Sequence, residues 1–147
     1  MHVYVNQVAY AEHIALVKGD VTTPGPVLVR MHALNVMDDV LADRSSGRGG
    51  ELHSAMRMIG ETGRGVVVLI REPLPTSLSD RVRARVAGGT PPTDQLRDYG
   101  VGAQILLDLG VRKMILLSNH RKNIVGLDGY GLSIAGQQPI AHEGDGE

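Results

Sequence analysis

The polar run Ser118-Asn119-His120-Arg121-Lys122 directly follows the stretch Val111–Leu117, which ends in the apolar run Met-Ile-Leu-Leu. Hydroxyl, amide and basic groups therefore sit at the C-terminal tip of a predicted strand, where open α/β sheets place their ligands. Ser118, Asn119 and Lys122 have the chemistry to bind phosphate or ribose. The alternative reading is a solvated strand-to-loop turn. Arg97 stands near the start of a predicted long helix, so its guanidinium is suited to phosphate beside the helix N-terminus. The alternative there is an ion pair with Asp94 or Asp98. His32, His53 and His120 are candidate metal ligands by residue type, but they lack the tight spacing that metal sites show. Asp38, Asp39 and Asp43 could hold a hard cation; an acidic, glycine-rich loop is more often simply solvated. Arg81, Arg83 and Arg85 alternate too tightly to share one helix face, which leaves a phosphate clamp open.

The elements that must position these groups follow from periodicity and punctuation. His2–Val8 and His13–Asp20 read as strands joined by a short turn, and Pro26–Leu34 as a third strand after a Pro/Gly turn. Residues 35–50 read as loop. Glu51–Thr62 reads as a helix with Leu52, Ala55, Met56 and Ile59 on one face, stopped by Gly63 and Gly65. Gly65–Arg71 is almost all valine and leucine, the pattern of a strand covered on both faces. Pro73 and Pro75 break the chain. Ser77–Ala87 reads as a short helix. Thr93 or Asp94 caps a helix running to Leu109, Val111–Leu117 is a fifth strand, and Tyr130–Gln138 a last one. The order predicts a single α/β domain over residues 1–140, with a mixed sheet and packed helices, and a disordered tail over 141–147.

Composition narrows the function classes. A net charge of -1 supplies no global field for nucleic acid or an anionic membrane. No apolar run approaches the ~20 residues of a membrane span. With no Trp and no Phe, the core is built from Val, Leu, Ile and Met. With no Cys there is neither a disulfide framework nor a thiolate zinc site. A cytoplasmic location is expected, with no signal peptide in view.

Six ordered stretches carry a resemblance: His13–Asp20, Pro26–His32, Glu61–Val66, Leu96–Leu106, Leu109–Met114 and Val125–Gly131. Together they resemble GTP cyclohydrolase II, an enzyme of riboflavin biosynthesis. It is often the C-terminal half of a bifunctional protein whose N-terminal half is 3,4-dihydroxy-2-butanone 4-phosphate synthase. The resemblance implies the α/β fold of that family, a homodimer, a zinc ion and a GTP substrate.

The departures fall on the chemistry. Where the family reads His-Ser-Glu-Cys, this chain reads His32-Ala-Leu-Asn35; where the family has Arg-Cys-Asp-Cys-Gly, it has Ser45-Ser-Gly-Arg-Gly49. The three zinc thiolates thus fall on Asn35, Ser46 and Arg48. The family's triphosphate loop begins at Arg71 but continues Glu-Pro-Leu-Pro, with prolines where glycine N–H groups would approach phosphate. The family's active-site tyrosine falls on Arg85 and its catalytic aspartate on Gln95. Lys122 stands one place from the family's second lysine, which falls on Asn123. Arg97 matches an arginine proposed to act on the phosphate.

The expectation is therefore a degenerate GTP cyclohydrolase II-like domain with its zinc lost and no other cofactor. Arg97 would be a vestigial catalytic residue, and Arg71, Ser118, Asn119 and Lys122 candidate nucleotide or phosphate ligands. Its expected role is structural or regulatory, as a homodimer, with a possible fused synthase. Two alternatives stay open: a module that binds GTP or another phosphate, and a hydrolase with altered chemistry using His32 or an aspartate.

Overall fold

The computed structural model describes residues 1–8, 10–72, 74–89, 95–119 and 128–141, with the side chains of residues 95–97 and 128 left aside. Its elements are β1 (His2–Asn6), β2 (Ala11–Lys18), β3 (Val27–Ala33), α1 (Val36–Asp39), α2 (Glu51–Thr62), β4 (Gly65–Ile70), α3 (Ser77–Val86), α4 (Gln95–Asp108), β5 (Lys113–Leu117) and β6 (Ser133–Gln138). A 3-10 turn, Asp128–Tyr130, precedes β6. One mixed sheet of six strands runs in the order β1-β2-β4-β3-β5-β6. β1 to β2 and β2 to β4 are antiparallel; β4, β3, β5 and β6 pair in parallel. The α/β class and the mixed sheet read from the sequence are both present.

β3 and β4 form the middle of the sheet, and their composition requires it. Val29, Met31, Val66 and Val68 belong to one core with Ala103 and Leu106 of α4. Leu28 and Val67 belong to a second core with Leu52, Ala55 and Ile59 of α2. A strand whose successive side chains enter opposite cores must be apolar throughout, which accounts for the valine run of β4. Two glycines of α4 are explained by close approach rather than by turning. A Cβ on Gly102 would lie 2.9 Å from the Met31 sulfur, and one on Gly100 would lie 3.0 Å from the Tyr130 hydroxyl. These glycines lower helix propensity; Gly102 lets α4 lie close on β3, and Gly100 makes room for Tyr130 of the 3-10 turn.

The predicted loop over residues 35–50 contains α1, a short helix that periodicity does not reveal. Its start is set by Asn35, whose side-chain oxygen accepts the Met37 N–H. The expectation that Asp38 and Asp39 are solvated is overturned, for both are buried. Met56 does not share the buried face of α2, being 40% exposed. Strand β6 begins at Ser133 rather than Tyr130, because Tyr130 closes the 3-10 turn and Gly131 follows it with a left-handed φ of 85°. The tail assigned to 141–147 lies outside the described residues from 142 onward.

Candidate functional site

Because β4, β3 and β5 are parallel, their C-terminal ends open on one edge of the sheet. The crossover helices α2 and α4 return their N-termini to that edge. Alternation along β3 puts Leu28, Arg30 and His32 on the α2 side. Leu28 packs in the core, whereas Arg30 and His32 carry polar chemistry into the same layer.

Arg30 is the centre of the first polar network. Its Nη1 donates to the Leu117 carbonyl at 3.2 Å, and its Nη2 reaches Glu51 Oε2 at 3.2 Å. Nη2 also lies 3.2 Å from His32 Nδ1. An arginine offers only donors, so His32 Nδ1 accepts and Nε2 carries the proton. That proton points to Asp39, whose carboxylate oxygens lie 2.8 and 2.9 Å from Nε2. Asp39 also accepts the Asn35 backbone N–H at 2.8 Å. Burial raises the pKa of Asp39, but the hydrogen bonds from His32 and Asn35, with the nearby charge, outweigh it and hold the carboxyl below its ordinary value. Burial lowers the pKa of the Arg30 guanidinium, and Glu51 opposes the shift.

A second network surrounds Asp38. Asn35 Nδ2 donates to Asp38 Oδ2 at 3.0 Å, and Ser46 Oγ donates to Asp38 Oδ1 at 2.7 Å. Ser46 Oγ in turn accepts the Arg48 backbone N–H at 3.1 Å. Farther out, Asp43 accepts from the Ser45 backbone and hydroxyl and pairs with Arg85 of α3, and its carboxyl is held down to about 2.

The candidate residues are distributed as follows. Ser118 is buried at the end of β5, with its N–H bonded to the Gln138 carbonyl at 3.0 Å and its own carbonyl accepting from Gln137 at 3.1 Å. Asn119 is exposed, and its Oδ1 accepts the Ile140 N–H at 2.9 Å, securing the chain after β6. Arg71 follows β4; its side chain is 54% exposed and lies 3.8 Å from Glu12. Its backbone N–H donates to His13 Nδ1 at 3.0 Å. Arg97 belongs to the first turn of α4, at the same edge of the sheet, but its side chain lies outside the described residues, as do Lys122 and His120. The three arginines of α3 do not share one face: Arg81 donates to the Leu34 carbonyl at 3.3 Å and Arg85, one turn on, reaches Asp43. Arg83 points away and meets only Asp80, at 3.7 Å, among the described ion pairs. Neither Arg30 nor Glu51 is a candidate on sequence grounds. The available signal was a charged residue inside the otherwise apolar run of a central strand.

A cleft of about 390 Å³ lies elsewhere, between β1 and α4, where Tyr4 donates to Asp108 at 2.8 Å. None of the described candidate ligands lines it.

Zinc takes thiolate, imidazole and carboxylate donors in a tetrahedral array. Positions 35, 46 and 48 present an amide, a hydroxyl and a guanidinium, and the first two are bonded to Asp38. His32 is engaged on both ring nitrogens. Among the described residues no group of three His, Asp or Glu side chains is arranged to hold a metal ion. The described residues at these positions do not form a zinc ligand set.

The family model for GTP cyclohydrolase II matches residues 1–139. The chain belongs to that family. It is 44% identical over 143 residues to the riboflavin biosynthesis protein RibBA of Chlorobium phaeovibrioides, covering 89% of this chain and 35% of the relative. It is 40% identical to the monofunctional riboflavin biosynthesis protein RIBA 2, chloroplastic, of Arabidopsis thaliana, covering 95% of this chain and 30% of that protein. Among solved structures it resembles RibBX, a two-domain 3,4-dihydroxy-2-butanone 4-phosphate synthase from A. baumannii. There the TM-score is 0.53 and the identity 29%, over 86% of this chain and 32% of the other. The chain thus spans about a third of the length of these proteins. No helix among the described residues is long and apolar enough to cross a membrane.

Proposed function

We propose that this chain is a zinc-free domain of the GTP cyclohydrolase II family that does not open the guanine ring of GTP. It serves riboflavin biosynthesis in a structural or regulatory role. The observation that carries this reading is the donor set at Asn35, Ser46 and Arg48. Ring opening requires water activated at neutral pH, which a zinc ion supplies by lowering the water's pKa towards ~7. An amide, a hydroxyl and a guanidinium hold no such ion, and a guanidinium adds a repelling charge. The name of one relative agrees with the reading: RibBX is described as a two-domain 3,4-dihydroxy-2-butanone 4-phosphate synthase.

The role includes self-association and support of a synthase module. Leu74, Leu78, Val82 and Val86 recur at every fourth position and are all exposed, and α3 buries none of its residues. A short helix without a buried face gains little stability from its own chain, so a second copy packed on this stripe would complete it. The test of the main reading is turnover. The purified protein supplied with GTP and zinc releases no formate above background; any release above background would contradict it.

A phosphate-binding reading is favoured by one arrangement: Ser118 and the first turn of α4, which contains Arg97, stand at the same sheet edge. On that reading the domain keeps affinity for GTP or a simpler phosphate through Arg71, Arg97, Ser118, Asn119 and Lys122, without hydrolysing it. Titration with GTP and with inorganic phosphate separates this from a purely structural domain.

A further inference from the structure

We propose that Asp38 is a positioning residue that clasps the turn after β3 to the glycine-rich loop, at the three positions where the family gathers its ligands around a metal. The inference rests on the zinc-free reading above and adds what replaced the ion. Asp38 is 6% exposed. One carboxylate oxygen accepts Asn35 Nδ2 at 3.0 Å, and the other accepts Ser46 Oγ at 2.7 Å. Ser46 Oγ then accepts the Arg48 N–H at 3.1 Å. Residues 35, 46 and 48 therefore converge on one carboxylate, two directly and the third through a hydroxyl.

The exchange is consistent in sign. A cation draws in anionic thiolates; here the centre is an anion, and Asn35 and Ser46 turn hydrogen-bond donors towards it while Arg48 follows by its backbone N–H. Hydrogen bonds to an ionised acceptor are about twice as strong as neutral ones, and Asp38 accepts two, one from each side of the turn. Backbone bonds from the Asp43 N–H to the Met37 carbonyl at 2.9 Å and from the Leu41 N–H to the Val36 carbonyl at 3.1 Å hold the start of the loop, and the clasp adds a tie to its middle. Val40 and Leu41 are 72% and 69% exposed, and Ala42 adopts a left-handed φ of 53°. The Asp43–Arg85 pair anchors it to α3 on its other side.

The test is limited trypsin proteolysis of the whole chain, since Arg44 and Arg48 place cleavage points inside the clasped loop and Arg57 and Arg64 place controls outside it. Cleavage in such assays tracks the population of the opened loop. The wild-type loop is cut slowly, and the chelator EDTA leaves that rate unchanged. Asp38→Asn keeps the shape but turns one acceptor into a donor, and speeds cleavage at Arg44 and Arg48 about tenfold, with Arg57 and Arg64 unaffected. Ser46→Ala, which removes one side chain from the loop, gives a smaller loop-specific acceleration and decides the matter if Asp38→Asn accelerates all sites together. Loop cleavage in both variants at the wild-type rate would overturn the clasp while leaving the zinc-free reading intact. Acceleration of the wild type by EDTA would show a metal in the clasp's place and sink both.

Discussion

Asp39 and Asp43 show how residues of one type in one loop take different roles. Asp39 is buried and bonded to His32; Asp43 reaches the Ser45 N–H and hydroxyl and Arg85 nearer the surface. The Asp43 carboxyl, held down to about 2 from an ordinary 3.8, contributes stability that is present above the unfolded value and lost as the pH falls towards 2. Asp43→Asn removes that contribution. The melting temperature of the variant should lie below that of the wild type at neutral pH, and the gap should close between pH ~4 and ~2. A gap independent of pH would show that Asp43 acts by something other than its charge. Arg97 tests the phosphate reading at the same scale. If it meets a phosphate, Arg97→Ala weakens GTP binding by ~1–3 kcal/mol by calorimetry; equal affinities leave the domain without that contact. Neither Asp38 nor Asp39 was legible as buried, because the sequence shows acidic residues beside glycines but not the distant partners, Ser46 and His32, that make burial tolerable.

The elements were read more easily than the residues. The valine run of β4, the glycine stop of α2 and the apolar spacing of α4 each force one local conformation, and they occur where periodicity put them. The short α1 escaped because its signal is a single cap at Asn35 and four residues carry no period. Two glycines in and beside α2 make the element scale testable. Gly60 lies inside α2, exposed, with open space where a Cβ would stand, so Gly60→Ala should stabilise the protein by ~0.5–1 kcal/mol in urea denaturation. A Cβ on Gly65, at the start of β4, would lie 2.6 Å from the Leu28 carbonyl oxygen and 2.8 Å from Ile59 Cγ2. Gly65→Ala should therefore destabilise by ~1–3 kcal/mol. The same sign for both substitutions would contradict the packing of α2 against β3 and β4.

Across the whole molecule, the framework of the family surrounds a loop region that carries Asn35, Ser46 and Arg48. Two cores on opposite faces of the sheet hold β3 and β4 irrespective of what stands at positions 35, 46 and 48. That separation explains why fold and family were legible from the six matching stretches, whereas the site required the particular bonds of Asp38 and Asp39. The exposed stripe of α3 belongs to this scale. By sedimentation, the wild type should form a dimer, and Val82→Glu should raise its dissociation constant at least tenfold, about 1.4 kcal/mol, with helix content unchanged. A monomeric wild type, or a variant that dimerises as well, would remove α3 from the interface.

The most direct measurement of the central claim is the metal content of the purified chain after incubation with zinc and gel filtration. On the proposed reading, a domain with Asn35, Ser46 and Arg48 in place of thiolates should retain far less than one zinc per chain. One tightly held zinc per chain, removed only by a strong chelator, would contradict it.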